Sequence, residues 1–281
     1  MSMQLRVVHT TRFDYEGKAE ASYNQARLTP ATTAHQIVVH NRIEIGPKPW
    51  TYEYRDYFGS LVTAFEIVDP HDAMTIAATS TVQVNRPAAP EPVLTWEALT
   101  TREVEDRWTE YLVLPDVVAP PDEFARRVQQ IAADHERPGD AARDLCALVH
   151  DELEVAPGTT DVRTHAAAAW QQRAGVTQDM VHLVIGGLRS MGIPTRYVSG
   201  YYHPDVEPVV GLSVDSTPHA WVEWWDDGWH SFDPANDEAP SDRYVSVARG
   251  RDYRDVAPLS GIFSGVGTSR LTVGVEVTRL A

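Results

Sequence analysis

The spacing of apolar residues changes twice along this chain, and the change limits the folds that it can adopt. Up to about Val84, apolar and β-branched residues alternate with polar ones, which is the pattern of half-buried strands. From Phe124 to Met191 they recur at helical spacing, which predicts helices. Alternation then returns and is most regular over residues 271–278. This order predicts an α+β fold, in which an N-terminal antiparallel β domain precedes helices packed on an antiparallel sheet.

A proline-rich stretch separates the two predicted parts. It runs from Pro87 to Pro92 and is typical of a stiff linker. We therefore expect a β domain over residues 1–88, a connecting segment over 89–122 and a core over 123–281. Strands are predicted over residues 36–40, 42–45, 61–68, 81–84, 196–201, 220–224 and 229–232. Helices are predicted over residues 124–131, from 140 onwards, and over 165–172 and 178–191.

Composition argues against several classes of function. The formal net charge is -16. Such an acidic surface repels phosphates and anionic lipids, so nucleic acid and membranes are not expected partners. No run approaches the roughly 20 apolar residues of a membrane helix. The N-terminus lacks the features of a signal peptide, so we expect a cytoplasmic protein. Cys146 is the only cysteine, and zinc-ligand and nucleotide-binding motifs are missing, so neither a metal nor a cofactor is predicted.

Three residues in the C-terminal half have the order and spacing of a catalytic triad. Thr177 stands where a predicted helix begins, His219 precedes one predicted strand, and Asp233 ends the next strand. Neighbouring antiparallel strands can bring the Asp233 carboxylate beside His219 and fix the tautomer of the imidazole. A nucleophile at a helix N-terminus gains the positive end of the helix dipole, and free N–H groups there can hold an oxyanion. The pattern predicts a site for acyl transfer.

The sequence around these residues resembles the transglutaminase-like superfamily, which shares a papain-like catalytic core. The stretches that carry the resemblance are residues 156–160, 174–182, 188–201, 219–223 and 229–236. The N-terminal β region and residues 250–258 resemble the bacterial branch. The resemblance implies thiol-based acyl transfer or hydrolysis at peptide or glutamine-type amides, without a cofactor. It makes His219 the base, Asp233 the residue that orients the base, and position 177 the nucleophile, where cysteine is expected and this chain has threonine.

Thr177 leaves the activity open. An internal threonine hydroxyl stays protonated at neutral pH, whereas a thiol beside a histidine readily forms a thiolate. We favour a pseudoenzyme, in which Thr177 only caps the helix and the cleft still binds a peptide or protein amide. In the alternative, the protein is an active amide hydrolase, protease or acyltransferase, with Thr177 as nucleophile or with cysteine as the natural residue. In a third hypothesis the β domain makes the protein a structural or interaction module.

Two further residues are candidates for the site. Gln178 is a candidate donor to an oxyanion, although a polar residue in a first helical turn is more often solvated. Trp221 is a candidate wall of an apolar substrate groove, although most tryptophans here are expected in the core. We expect Cys146 to be a buried structural thiol. We expect His182 to support the core rather than to bind a ligand; its position one helical turn from Asp179 allows an i,i+3 contact.

Overall fold

The structure, a computed structural model, describes residues 2–281. It consists of an eight-stranded sheet, a four-stranded sheet and a short two-stranded one, with the helices between Trp96 and Ser190 and one more near the end. The strands are β1 (Met3–Ala26), β2 (Gln36–Gly46), β3 (Trp50–Arg55), β4 (Leu61–Ile67), β5 (His71–Val84), β6 (Glu154–Val155), β7 (Ala174–Gly175), β8 (Thr195–Tyr202), β9 (Ser213–Ser216), β10 (His219–Trp225), β11 (Trp229–Phe232), β12 (Tyr244–Gly250), β13 (Leu259–Gly265) and β14 (Ser269–Arg279). The helices are α1 (Trp96–Leu99), α2 (Arg102–Trp108), α3 (Asp122–Asp134), α4 (Pro138–Glu152), α5 (Ala166–Gln172), α6 (Thr177–Ser190) and α7 (Tyr253–Val256), with a 3-10 turn at Thr109–Tyr111.

The eight-stranded sheet is organised around the long strand β1. The first half of β1 pairs with β5 and β14, and its second half pairs with β4 and β13, all antiparallel. Along β5 buried residues alternate with less buried ones, which is the period-two pattern that the sequence predicts. The predicted runs at residues 36–40 and 42–45 form one strand, β2. The mixed α+β architecture is therefore the one expected.

The eight-stranded sheet extends beyond the first 88 residues of the chain. It also takes β9, β13 and β14 from the C-terminal half. In the tail strand, Val275 and Val277 are buried, whereas Leu271 and Val273, which pair with Phe13 and Thr11 of β1, are exposed. Pairing between strands so distant in sequence leaves no local signal, so the alternation predicts the strand but not its neighbours.

The predicted helix that forms α6 packs on one face of the four-stranded sheet. Its order is β11-β10-β8-β12, and all its pairs are antiparallel. Helix α6 packs against β10 and β8 and is buried along nearly its whole length. One apolar cluster runs from α3, α4 and α6 through this sheet to Val7 and Val82 of the large sheet, so the two parts share a core. No helix within residues 2–281 has the length and apolar character needed to cross a bilayer.

Candidate active site

The start of helix α6 is built by a glycine, a valine and an aspartate. Val176 is the N-cap residue, and the Asp179 Oδ2 accepts a hydrogen bond from the Val176 N–H at 2.8 Å. The same oxygen accepts from the Thr160 hydroxyl at 2.6 Å. Burial raises the pKa of Asp179, and these two donors oppose that rise. A Cβ at Gly175 would lie 2.7 Å from Asp179 Oδ2, so glycine leaves room for the carboxylate.

Thr177 does not cap the helix, which corrects the sequence-based prediction. It is the first residue of α6 rather than the residue before it. Its hydroxyl has no hydrogen-bond partner within residues 2–281, and at the helix start the Asp179 carboxylate accepts from the Val176 N–H instead. The backbone N–H groups of Thr177 and Gln178 also lack protein acceptors in this part of the chain. The hydroxyl and two N–H donors of the first turn are therefore uncommitted.

His219 and Asp233 form the predicted pair. The His219 Nε2 lies 2.5 Å from the Asp233 Oδ2, and both side chains are almost fully buried. His219 opens β10, and Asp233 follows β11, which pairs with β10, so the sheet register brings the two together. The Tyr202 ring packs on the imidazole, with centroids 4.3 Å apart. The Nδ1 atom of His219 has no partner among residues 2–281, which leaves it for a nucleophile or a ligand.

Asp233 is held by more groups than sequence reasoning finds. Its Oδ1 accepts backbone N–H bonds from Ala235 at 2.9 Å and Asn236 at 3.3 Å. Its Oδ2 accepts from the Asn236 side-chain amide at 2.9 Å and the Tyr244 hydroxyl at 2.8 Å, besides His219. Burial is the main cause of a raised pKa at Tyr244. Asn236 lies in the motif that contains Asp233, but Tyr244 comes from the separate strand β12 and has no sequence signal.

A cavity of about 340 Å³ brings the candidate residues together. Thr177, Gln178 and His219 all line it. The rest of its wall is largely apolar or phenolic and comes from β6, β8, β10, β12, α7 and the loops beside them. It consists of Val155, Pro157, Val176, Tyr197, Ser199, Gly200, Tyr201, Thr217, Pro218, Ala220, Val247, Tyr253 and Pro258, together with Arg27. A volume of this size accommodates a small ligand or one peptide residue with its neighbours.

Comparison with known proteins gives consistent matches. A model of the bacterial transglutaminase-like N-terminal region matches residues 5–83, and a model of the transglutaminase-like superfamily matches residues 125–234. An uncharacterised protein of Mycobacterium leprae is 43% identical over 279 residues, which cover 99% of each chain. This chain belongs to the transglutaminase-like superfamily.

Two further matches place the superfamily core in context. The crystal structure of a proposed cysteine protease from Cytophaga hutchinsonii superposes with a TM-score of 0.78 at 19% identity, over 100% of this chain and 92% of that one. At that identity the likeness concerns the fold. A protein-glutamine gamma-glutamyltransferase of Pseudomonas aeruginosa is 37% identical over 81 residues, which are 26% of this chain and 12% of that enzyme.

Not every predicted residue of this transglutaminase-like site reaches the cavity. Trp221 is fully buried behind Gly200 and edge-on to the Tyr244 ring, so it belongs to the core and does not line the cavity. Gln178 does line it, but its Nε2 makes a long bond of 3.4 Å to the Val162 carbonyl. The backbone N–H groups of the first turn are therefore the better oxyanion donors.

Two other residues named from the sequence are buried and lie outside the cavity lining. Cys146 is buried in α4, and burial raises the pKa of its thiol, which opposes any nucleophilic role. His182 accepts a bond from the Tyr253 N–H at 3.2 Å rather than contacting Asp179, and burial lowers its pKa to about 4. Within residues 2–281 no group of three potential metal ligands is found.

Proposed function

We propose that this protein binds a peptide or protein amide in the cavity at the start of α6, and that Thr177 impairs acyl transfer there. The observation that carries the proposal is the uncommitted Thr177 hydroxyl in the same cavity as the His219–Asp233 pair. A thiol at this position can give up its proton to histidine before attack. A hydroxyl must lose its proton during attack, and the extra methyl of threonine crowds the approach.

The retained parts of the site support ligand binding. Unpaired N–H groups at the start of α6 suit the carbonyl of an amide, and the helix dipole favours negative charge at that point. The apolar and tyrosine-lined wall suits the aliphatic part of a peptide side chain. The short match to a protein-glutamine gamma-glutamyltransferase also favours an amide ligand. We retain the cytoplasm as the expected location.

The first experiment introduces a thiol where the triad requires one. In the Thr177→Cys variant, alkylation by iodoacetamide is followed against pH, and the unmodified protein controls for buried Cys146. We expect fast alkylation well below the ordinary thiol pKa of about 8.5, and we expect His219→Ala to abolish the acceleration. An ordinary thiol profile, unaffected by His219→Ala, would mean that the histidine does not serve position 177.

A second candidate function is an active hydrolase or acyltransferase that uses position 177. It is favoured by the absence of a capping role for Thr177, because the side chain then has no structural task at the helix start. Hydrolysis of p-nitrophenyl acetate by the unmodified protein separates the two. Burst release with an acetyl group on Thr177, lost in Thr177→Ala, would establish the enzyme. Equal background rates in the two proteins would support the impaired site.

A further inference from the structure

Arg27 brings a positive charge into the cavity from the N-terminal part of the chain. It follows β1, while Thr177 and His219 belong to the C-terminal half. Among the described residues that line the cavity, it is the one with a fixed charge; the others are neutral, apart from His219 when protonated. The protein as a whole has a formal net charge of -16. The Arg27 guanidinium reaches the cavity wall as the positive half of an ion pair with Asp56.

The Arg27 guanidinium is held in place, but some of its hydrogen-bond donors remain unpaired. The Arg27 backbone N–H donates to the Pro258 carbonyl at 2.9 Å, and the Nε donates to Asp56 Oδ2 at 3.0 Å. Asp56 is itself fixed, because its Oδ1 accepts N–H bonds from Phe58 and Ser60. The two terminal nitrogens of Arg27 have no acceptor within residues 2–281. Only the Nε side is paired, so the other donors remain available.

We infer that the cavity selects ligands that carry a free carboxylate, and that Arg27 is the residue that recognises it. A guanidinium presents several donors in a planar fork that matches a carboxylate, and charge-assisted bonds of this kind are stronger than neutral ones. The rest of the described cavity wall is largely apolar or phenolic and carries no other fixed charge that would compete for the carboxylate. This inference rests on the proposed function, since it concerns the ligand of the same cavity, and it narrows that ligand to an amide with an acidic group nearby.

The test compares two alkylating agents that differ only in charge. Iodoacetate and iodoacetamide displace iodide from the same carbon, but only iodoacetate carries a carboxylate. In the Thr177→Cys variant we measure the ratio of the iodoacetate rate to the iodoacetamide rate. We expect Arg27→Gln to lower this ratio about tenfold, as the loss of one charge-assisted bond implies. Because the thiol is the same for both reagents, the ratio is independent of how strongly His219 activates it.

The controls separate recognition from folding and from general electrostatics. Arg102→Gln removes an arginine that is highly exposed on α2 and must leave the ratio unchanged. Arg27→Lys keeps the charge without the fork and should give an intermediate ratio. Asp56→Asn removes the competing carboxylate and should raise the ratio, which keeps the test valid if Arg27→Gln does not fold. An unchanged ratio in Arg27→Gln, or no rise in Asp56→Asn, overturns the inference. A slow, His219-independent iodoacetamide reaction would instead count against the proposed function.

Protection experiments then identify which carboxylate is recognised. N-acetylglutamine carries a main-chain carboxylate, N-acetylglutamic acid α-amide carries a side-chain one, and N-acetylglutaminamide carries none. Each competes with iodoacetamide for the thiol of the Thr177→Cys variant. We expect one of the two acids to protect at a concentration about tenfold lower than the neutral amide, with the difference lost in Arg27→Gln. Equal protection by all three compounds would contradict carboxylate recognition.

Discussion

Replacement of Asp233 by asparagine tests whether the buried carboxylate stabilises positive charge on His219. The carboxylate lies 2.5 Å from the His219 Nε2 and is fully buried, so solvent screens the interaction little. In the Thr177→Cys background, loss of the charge disfavours the thiolate–imidazolium pair. We expect alkylation at pH 6 to slow at least about tenfold, and the profile to move towards that of a free thiol near about 8.5.

The same substitution has a cost in stability that follows from the hydrogen bonds. Asp233 Oδ2 accepts from three donors and Oδ1 from two. The asparagine side chain replaces one carboxylate oxygen by an NH₂ group, which cannot accept these bonds. Whichever oxygen is replaced, at least two of the donors to Asp233 lose their acceptor. A buried donor without an acceptor costs about 1–3 kcal/mol, and we expect Asp233→Asn to lose about 2–4 kcal/mol in urea unfolding.

Two controls make the Asp233 result interpretable. Tyr244→Phe keeps the carboxylate charge but removes a hydroxyl that lies within hydrogen-bond distance of Asp233, Glu238 and the Asn236 amide, so it should lower stability without moving the alkylation profile by more than a few tenths of a pH unit. Alkylation is measured without urea, under conditions in which circular dichroism shows that each variant is folded. If Asp233→Asn unfolds more easily but keeps the fast alkylation at pH 6, the carboxylate only orients structure and our account of the pair is wrong.

Three further predictions concern the helix start and the buried histidines. Gly175→Ala would place a Cβ 2.7 Å from Asp179 Oδ2, and we expect the free energy of unfolding in urea to fall by about 1–3 kcal/mol. An unchanged free energy of unfolding would mean that the loop shifts freely. Thr177→Ala should change stability by less than about 0.5 kcal/mol because Asp179 provides the cap, and a loss near 1 kcal/mol would restore the capping role. Burial lowers the pKa of His9 and of His182 from 6.5 to about 4, so protonation favours the unfolded chain. Stability is then fully present above pH 6.5 and falls towards pH 4 by up to about 3 kcal/mol per histidine; His9→Gln should reduce that pH dependence in urea unfolding by about one proton, and an unchanged slope would refute it.

The fold could be predicted where the signal is local and not where it depends on pairing. Regular alternation identified the long strands, and helical spacing identified α3, α4 and α6, because each buries one face. The strands β3 and β9 are largely exposed, so they have no buried face that would set a clear apolar period. The pairing of β14 with β1 joins the two ends of the chain, which no local pattern encodes.

The residues of the candidate site could likewise be predicted only where they carry a local sequence signal. Thr177, His219 and Asp233 could be found because each stands in a short motif at the boundary of an element. Arg27 and Tyr244 could not, since they reach the site from other strands and their own surroundings in sequence carry no catalytic pattern. Trp221 lies two residues after His219 on the same face of β10, but it packs against Gly200 and Tyr244 and does not reach the cavity, which the strand pattern alone does not reveal.

Under the proposed function, the side chain at position 177 determines whether the site only binds a ligand or also catalyses acyl transfer. The Asp233 carboxylate is bonded to His219, and the N–H groups of Thr177 and Gln178 have no protein acceptor within residues 2–281. A thiol nucleophile and a hydroxyl nucleophile require different protonation states of the same histidine before attack. With a thiol, histidine is charged before attack and Asp233 stabilises that charge, whereas with Thr177 the histidine must start neutral and take a proton during attack. The Asp233 carboxylate can orient and support the imidazole in either case, so the difference lies in the nucleophile: a thiol can lose its proton before attack, whereas the Thr177 hydroxyl must lose it during attack.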